Sequence, residues 1–344
     1  MKFGVAIPTC TEGLLYPIPF ASAGDILRVA LAAERLGYHE VMGNDHLTTQ
    51  AYVRQAFPDP PGYFEPLMCL AYCAARTTSI RLMTGVLVLP LRHPVLLAKQ
   101  AATLDQLSGG RLTLGIGVGA YREELEATRP ELTLGSRAEL MTEGILALNT
   151  LLTERVSSFS GRWSQFRDVE MFPKPIQDPL PIFSGGNASA SIRRAAQYCQ
   201  GWLPASLTPE RLAAGREQLQ QLAVEAGRDP DKISVAPQMV VCLGADNEDA
   251  QRRFQNSRIF EHLTTLQRAT LRGIDPTDYA NINLVGDTDV VIARVQALID
   301  AGADHLAGLL FVANTVEEML EQMEMFREGV MTKFSEPMPD GRTA

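Results

Sequence analysis

The chain has 344 residues, 46% hydrophobic and 21% charged, with a formal net charge of -9 and a pI near 5.2. Such a chain can bury a large core, which excludes a disordered protein. Its acidity argues against a nucleic-acid partner, which selects a basic face, but leaves room for a local basic pocket for one small anion.

Short apolar runs alternate with amphipathic stretches almost throughout. Lys2–Ile7 reads as a first strand, not a signal peptide. Ala23–Leu36 has helical apolar spacing and stops at Gly37. His39–Met42 is a second strand and Pro66–Ala75 a helix. Ile80–Leu89 is a long, nearly all-apolar third strand, as expected of one buried on both faces. Pro94–Leu107 is a helix closed by Ser108-Gly109-Gly110, and Arg111–Gly117 is a fourth strand. Arg137–Thr153 is helical, and Pro181–Ser184 is a short fifth strand with a helix from Ala188 to Tyr198. Trp202–Pro204, Ile233–Leu243 and His305–Val312 give strands six to eight, followed or separated by helices Pro209–Ala226, Val290–Ala301 and Val316–Val330. No run of about 18 apolar residues occurs, so no membrane span and no membrane partner is expected.

Eight strand–helix units predict an α/β domain of the (β/α)8 TIM barrel type over residues 1–334, with a tail at 335–344. A doubly wound open sheet is the alternative. Three insertions break the rhythm, near 46–64, 156–179 and 248–284, and the second has the alternation of a small hairpin. Long loops of this kind are functional or mobile. Five cysteines and no Cys-x-x-Cys imply neither a disulfide framework nor a metal set, which fits a reducing cytoplasm. Cys10 leaves strand one at the rim and is a candidate pocket residue.

Barrels carry their chemistry at the C-terminal ends of strands. Strand two ends in Asn44-Asp45-His46. An imidazole such as that of His46 suits proton transfer, with Asp45 to orient it; a turn or capping cluster is the alternative. Strand four ends in Gly115-Ile116-Gly117-Val118-Gly119-Ala120-Tyr121. Gly115, Gly117 and Ala120 loosely fit the dinucleotide fingerprint, but glycines that admit a flat ring, or a tight corner, fit better. Tyr121 is placed to hydrogen-bond substrate or cofactor. Strand five ends in Ser184-Gly185-Gly186-Asn187-Ala188-Ser189 at a helix start, where backbone N–H groups favour an anion; ordinary capping by Asn187 or Ser189 is the alternative. Arg193 and Arg194 either help neutralise that anion or face solvent. Zinc-hydrolase, serine-hydrolase and P-loop motifs are missing from the sequence.

The chain resembles the luciferase-like monooxygenase superfamily over most of its length. The strongest stretch is Ile80–Gly119, with Asp45-His46, Pro173-Lys174-Pro175, Pro181–Gly186, Gly201-Trp202 and Val285-Gly286-Asp287 in support. The resemblance implies a barrel with a ring-shaped redox cofactor at its C-terminal rim, cradled by Gly85, Val86, Gly115, Gly117 and Gly119. It places the cofactor phosphate near Gly185, Gly186, Asn187 and Ser189. It also implies a strand-three bulge, often a non-prolyl cis peptide, at Gly85–Val86. Two cofactors stay open: reduced FMN (FMNH2) with oxygen, making a monooxygenase fed by a flavin reductase, or coenzyme F420, making a hydride-transfer enzyme. The Gly-x-Gly-x-Gly end of strand four leans to F420. A small-molecule substrate and a homodimer are implied too. A non-catalytic flavin-binding barrel is the competing class.

Overall fold

The computed structural model describes residues 1–266, 271 and 273–334. The expected tail at 335–344 lies outside these residues, as do 267–270 and 272 of the third insertion. Among the described residues thirteen strands occur: β1 (Lys2–Ile7), β2 (Glu40–Gly43), β3 (Arg81–Thr84), β4 (Leu87–Val88), β5 (Leu112–Gly117), β6 (Ser157–Ser160), β7 (Gln165–Val169), β8 (Ile182–Gly185), β9 (Gly201–Leu203), β10 (Ser234–Val235), β11 (Val240–Leu243), β12 (Leu284–Gly286) and β13 (His305–Phe311). Eleven of them form one curled sheet in the order β10-β9-β8-β5-β3-β2-β1-β13-β11-β12, with β4 also on β5. The named pairs in this sheet are all parallel. β6 and β7 form the separate antiparallel hairpin expected in the second insertion.

The parallel strands are buried along their length, β2, β5, β8 and β11 without an exposed residue, because helices cover their outer face. The helices pack on the sheet through one large apolar cluster that includes Leu70, Leu97, Leu148, Ile192 and Leu298. A second, smaller cluster fills the concave side, with Ala6, Met42, Met83, Phe183, Leu203, Ala236 and Ala307. The curl is strong enough to bring the Phe183 ring of β8 within 6.1 Å of the His305 ring of β13.

Two expected strands are broken. The third is split into β3 and β4, because five residues from Met83 to Leu87 run opposite four from Thr113 to Ile116, which is a bulge. The Gly85–Val86 peptide inside it is cis. The seventh is split into β10 and β11 around Pro237, which has no N–H to donate. Four helices sit in stretches expected to be loops or mixed: Ala51–Ala56, Arg122–Thr128, Asn247–Gln255 and Arg258–Thr265.

Candidate active site

The chain leaves β2 at the rim, where the Thr9 hydroxyl bonds both the Asn44 N–H and its carbonyl and fixes the exit. The next two residues part company. Asp45 is 2% exposed, and its carboxylate accepts the Val88 N–H at 2.9 Å and pairs with Arg92 at 2.6 Å. Arg92 also holds Glu65 at 2.7 Å. Burial raises the Asp45 carboxyl, against the pull of Arg92. Asp45 therefore anchors β4 behind the bulge; the expected bond from Asp45 to His46 is replaced by others.

His46 turns to the helix Arg122–Thr128 instead. Its Nδ1 lies 2.9 Å from Glu124 Oε2 and 3.0 Å from Gln50 Nε2. The Glu124 side chain is 1% exposed, and its second oxygen, Oε1, is buried without a partner. Gln50 is fully buried and accepts from the Tyr63 hydroxyl at 2.8 Å. One nitrogen cannot both donate to Glu124 and accept from Gln50, so the proton on Nδ1 and the Gln50 amide orientation are linked. Neighbouring Glu123 accepts the Ala51 N–H at 3.0 Å and pins the first insertion to this helix.

Aromatic groups close the other side. Tyr63 and Tyr121 rings stand 5.6 and 5.9 Å from the His46 ring. The Tyr121 hydroxyl meets that of Tyr52 at 3.1 Å, and both approach His262 Nδ1, at 3.4 and 3.3 Å. Burial lowers the His262 imidazole to about 3, with the nearby His46 and Arg258 adding to the effect. This wall is thus polar but neutral.

A cavity of about 560 Å3 also opens here; Ala120, the neighbour of Tyr121, lines it, whereas His46 and Tyr121 are not among its lining residues. It is lined by Gly85, Val86, Gly117 and Gly119 at one end, and by Gly185, Gly186, Asn187 and Ser191 toward the other. The glycines also leave room for neighbouring groups. A Cβ on Gly117 would lie 2.5 Å from Val86 Cγ2, one on Gly185 2.4 Å from Val86 Cγ1, and one on Gly119 2.8 Å from Val88 Cγ1. A Cβ on Gly115 would lie 2.0 Å from the Thr84 carbonyl oxygen. These glycines seat the bulge side chains, and Val86 is the surface presented to the cavity. Gly186, at φ +111°, makes the turn into the next helix.

That helix, Ser189–Tyr198, has Ala188 as its N-cap and no side-chain cap. Ser191, not the exposed Ser189, lines the cavity. Asn187 spends its amide on both backbone groups of Ala205, at 2.8 and 2.9 Å. Arg194 is buried against Thr142 and the Ala138 carbonyl, and Arg193 is exposed; neither lines the cavity. Its cations are Arg137 and Arg211. Cys10 is 1% exposed, donates to the Phe64 carbonyl at 3.1 Å and has its thiol pushed up by burial, so it is inert and off the cavity. Glu124, Gln50, Tyr52, Tyr63, His262, Arg137 and Arg211 all escape the reading of the sequence.

The chain is similar to known proteins. An F420-dependent hydroxymycolic acid dehydrogenase of Mycobacterium tuberculosis is 29% identical over 283 residues, covering 80% of this chain and 76% of that enzyme. The oxygenase component of a flavin-dependent trigonelline monooxygenase of Acinetobacter baylyi is 26% identical over 347 residues, covering 93% and 92%. The crystal structure of monooxygenase RslO1 from Streptomyces bottropensis superposes with a TM-score of 0.79 at 25% identity, covering 97% of this chain and all of that one. The model of the luciferase-like monooxygenase family matches residues 1–305, and the chain belongs to that family.

Proposed function

We propose that the chain is an oxidoreductase that holds a reduced flavin-type cofactor, FMNH2 or F420, in the cavity against Val86 and uses His46 for proton transfer to or from a small organic substrate. The observation that carries this reading is the 2.9 Å contact between His46 Nδ1 and the buried Glu124 carboxylate. With Nδ1–H donated to Glu124, Nε2 keeps its lone pair for a substrate proton. The cavity fits the cofactor: an apolar platform for a ring at Val86, an uncapped helix start, and two arginines with no carboxylate among its lining residues. When bound, the cofactor supplies the hydride or electrons. Asp45 acts at one remove, through Val88, on the platform. Tyr52, Tyr121 and His262 keep water from the reacting centre. A non-catalytic barrel has no use for a buried carboxylate on a rim histidine. His46→Ala is expected to keep cofactor affinity and lower turnover by at least about a hundredfold; wild-type turnover in that variant sinks the role.

The curled sheet also reads as a closed barrel in one domain over 1–334. In support, the Ala236 and Gln238 N–H groups bond β9 and the residue after it, while the Met239 and Val241 carbonyls accept from Leu310 and Val312. One broken seventh strand thus touches both flanks. A homodimer fits the exposed Met68, Tyr72 and Leu96 on the adjacent helices Pro66–Ala74 and Pro94–Ser108. The free cysteines fit a cytoplasmic site of action, and an FMN-using form implies a flavin reductase to supply it.

A further inference from the structure

We propose that Gln50 works with its amide turned half round from the placement above, so that its oxygen joins Glu124 in holding the proton on His46 Nδ1, and that it is thereby a positioning residue for His46. This rests on the reading of His46 as the proton-transfer group. Gln50 is fully buried. It is the N-cap of the helix Ala51–Ala56, yet its side chain makes no capping bond. Glu123 ties the Ala51 N–H beside it and Glu124 reaches His46, so adjacent residues of one helix fix both sides of the contact. Gln50 Nε2 lies 3.0 Å from His46 Nδ1, and Gln50 Oε1 lies 2.8 Å from the Tyr63 hydroxyl. A half-turn about the Cγ–Cδ bond exchanges the donor and acceptor ends of an amide and moves no neighbour.

The two orientations differ in which hydrogen bonds they satisfy. With Gln50 Nε2 toward His46, Nδ1 must accept, so it is bare and the neutral imidazole carries its proton on Nε2. Glu124 Oε2 then faces a lone pair at 2.9 Å. Its other oxygen, Oε1, is buried without a partner, so a carboxylate whose side chain is 1% exposed has no hydrogen bond from any described residue. Protonating Glu124 does not mend this, because it then competes with Gln50 for the one lone pair on Nδ1. With Gln50 Oε1 toward His46, Nδ1–H is shared between Glu124 and Gln50, and Gln50 Nε2 donates to the Tyr63 oxygen. What is lost is the contact from Gln50 Nε2 to the Thr48 carbonyl, which at 3.4 Å lies at the outer limit of a hydrogen bond. His46 Nε2 is then the bare nitrogen, and the Tyr63 hydroxyl hydrogen is released from Gln50. Burial pushes the Tyr63 phenol above its ordinary value, so it keeps that hydrogen as a donor beside His46.

The test is a long-range 1H–15N correlation spectrum of the full chain labelled with 15N-histidine, at about pH 8, where an ordinary imidazole is neutral. The His46 signals are those missing from His46→Ala. In the wild type the spectrum is expected to show Nδ1 protonated and Nε2 bare. Gln50→Leu fills the space without an acceptor and is expected to move the tautomer ratio about threefold to tenfold toward Nε2–H, the worth of one net hydrogen bond. Gln50→Glu keeps an acceptor in place and is expected to hold the wild-type tautomer, which a role in packing alone would not distinguish from Gln50→Leu. A wild-type His46 with its proton on Nε2, a Gln50→Leu ratio that stays put or moves toward Nδ1–H, or loss of the tautomer in Gln50→Glu overturns the role of Gln50. Each of these leaves proton transfer by His46 standing, since that reading falls only with wild-type turnover in His46→Ala. The wild-type spectrum decides the orientation even where a substitution fails to fold.

Discussion

A single proton on His46 Nδ1 decides which partners in this site agree. Glu124 asks for a donor there, whereas the Gln50 amide as placed offers a hydrogen of its own. Glu124→Gln removes the acceptor that fixes the tautomer. It is expected to slow turnover about tenfold to hundredfold at unchanged cofactor affinity, read by steady-state kinetics beside binding. Equal losses in affinity would assign Glu124 to structure instead. Two other histidines matter for stability. Burial lowers His39 to about 4 and His262 to about 3, from an ordinary 6.5. A buried neutral histidine contributes its full stability above the unfolded value and loses it as pH falls toward the folded one. Melting temperature is therefore expected to fall between pH 6.5 and pH 4. His262→Gln is expected to flatten that slope, by a few degrees at pH 4.5; an unchanged slope contradicts the burial argument. Asp45 and His46 are legible in the sequence because they leave an apolar strand at the end where barrels carry their chemistry. Glu124 is not: Arg122-Glu123-Glu124-Leu125-Glu126 looks like a solvated helix face, and only the fold separates the buried Glu124 from Glu126, which pairs with Arg122 in solvent.

The element on which the proposed cofactor placement rests is the bulge between β3 and β4. It is held from below by Met42, which fills the space beside Gly85, and from behind by Asp45 on Val88. Its Val86 methyls fit between β5 and β8 only because Gly117 and Gly185 lack a Cβ. Gly117→Ala is therefore expected to destabilise the protein by about 1–3 kcal/mol and to weaken cofactor binding. Adding Val86→Ala is expected to restore most of the stability, as a double-mutant cycle would show. Strict additivity would mean that the two side chains never compete for space. Apolar runs and glycine stops place the core strands and the helices that pack on them to within a few residues, but miss β12 and the four helices of the rim and insertions. The breaks are harder to see. Nothing in Ile80–Leu89 announces an extra residue, because a bulge is defined by its partner strand and not by its own composition.

At the scale of the molecule, the sheet brings together groups far apart in the chain: His46 from the end of β2, Glu124 after β5 and His262 from the third insertion. The chemistry-bearing face carries the Glu124 carboxylate at His46 and the cations Arg137 and Arg211 at the cavity, while the chain as a whole is acidic. The exposed Met68, Tyr72 and Leu96 leave an apolar face opposite in character to both. Met68→Glu with Leu96→Glu is expected to turn the proposed dimer into a folded monomer in analytical ultracentrifugation; an unchanged sedimentation coefficient contradicts a dimer through this face. Composition made the cavity's positive mouth invisible, since two arginines among 31 basic residues carry no label until folding sets them around one helix start.

The most direct test of the account is an anaerobic titration of the wild type and of Val86→Trp with reduced FMN and with F420, followed by fluorescence. The account predicts saturable one-to-one binding of at least one of them to the wild type, and its loss in Val86→Trp, where the indole occupies the ring platform. Binding of neither, or binding undisturbed by Val86→Trp, would contradict a redox cofactor seated in this cavity.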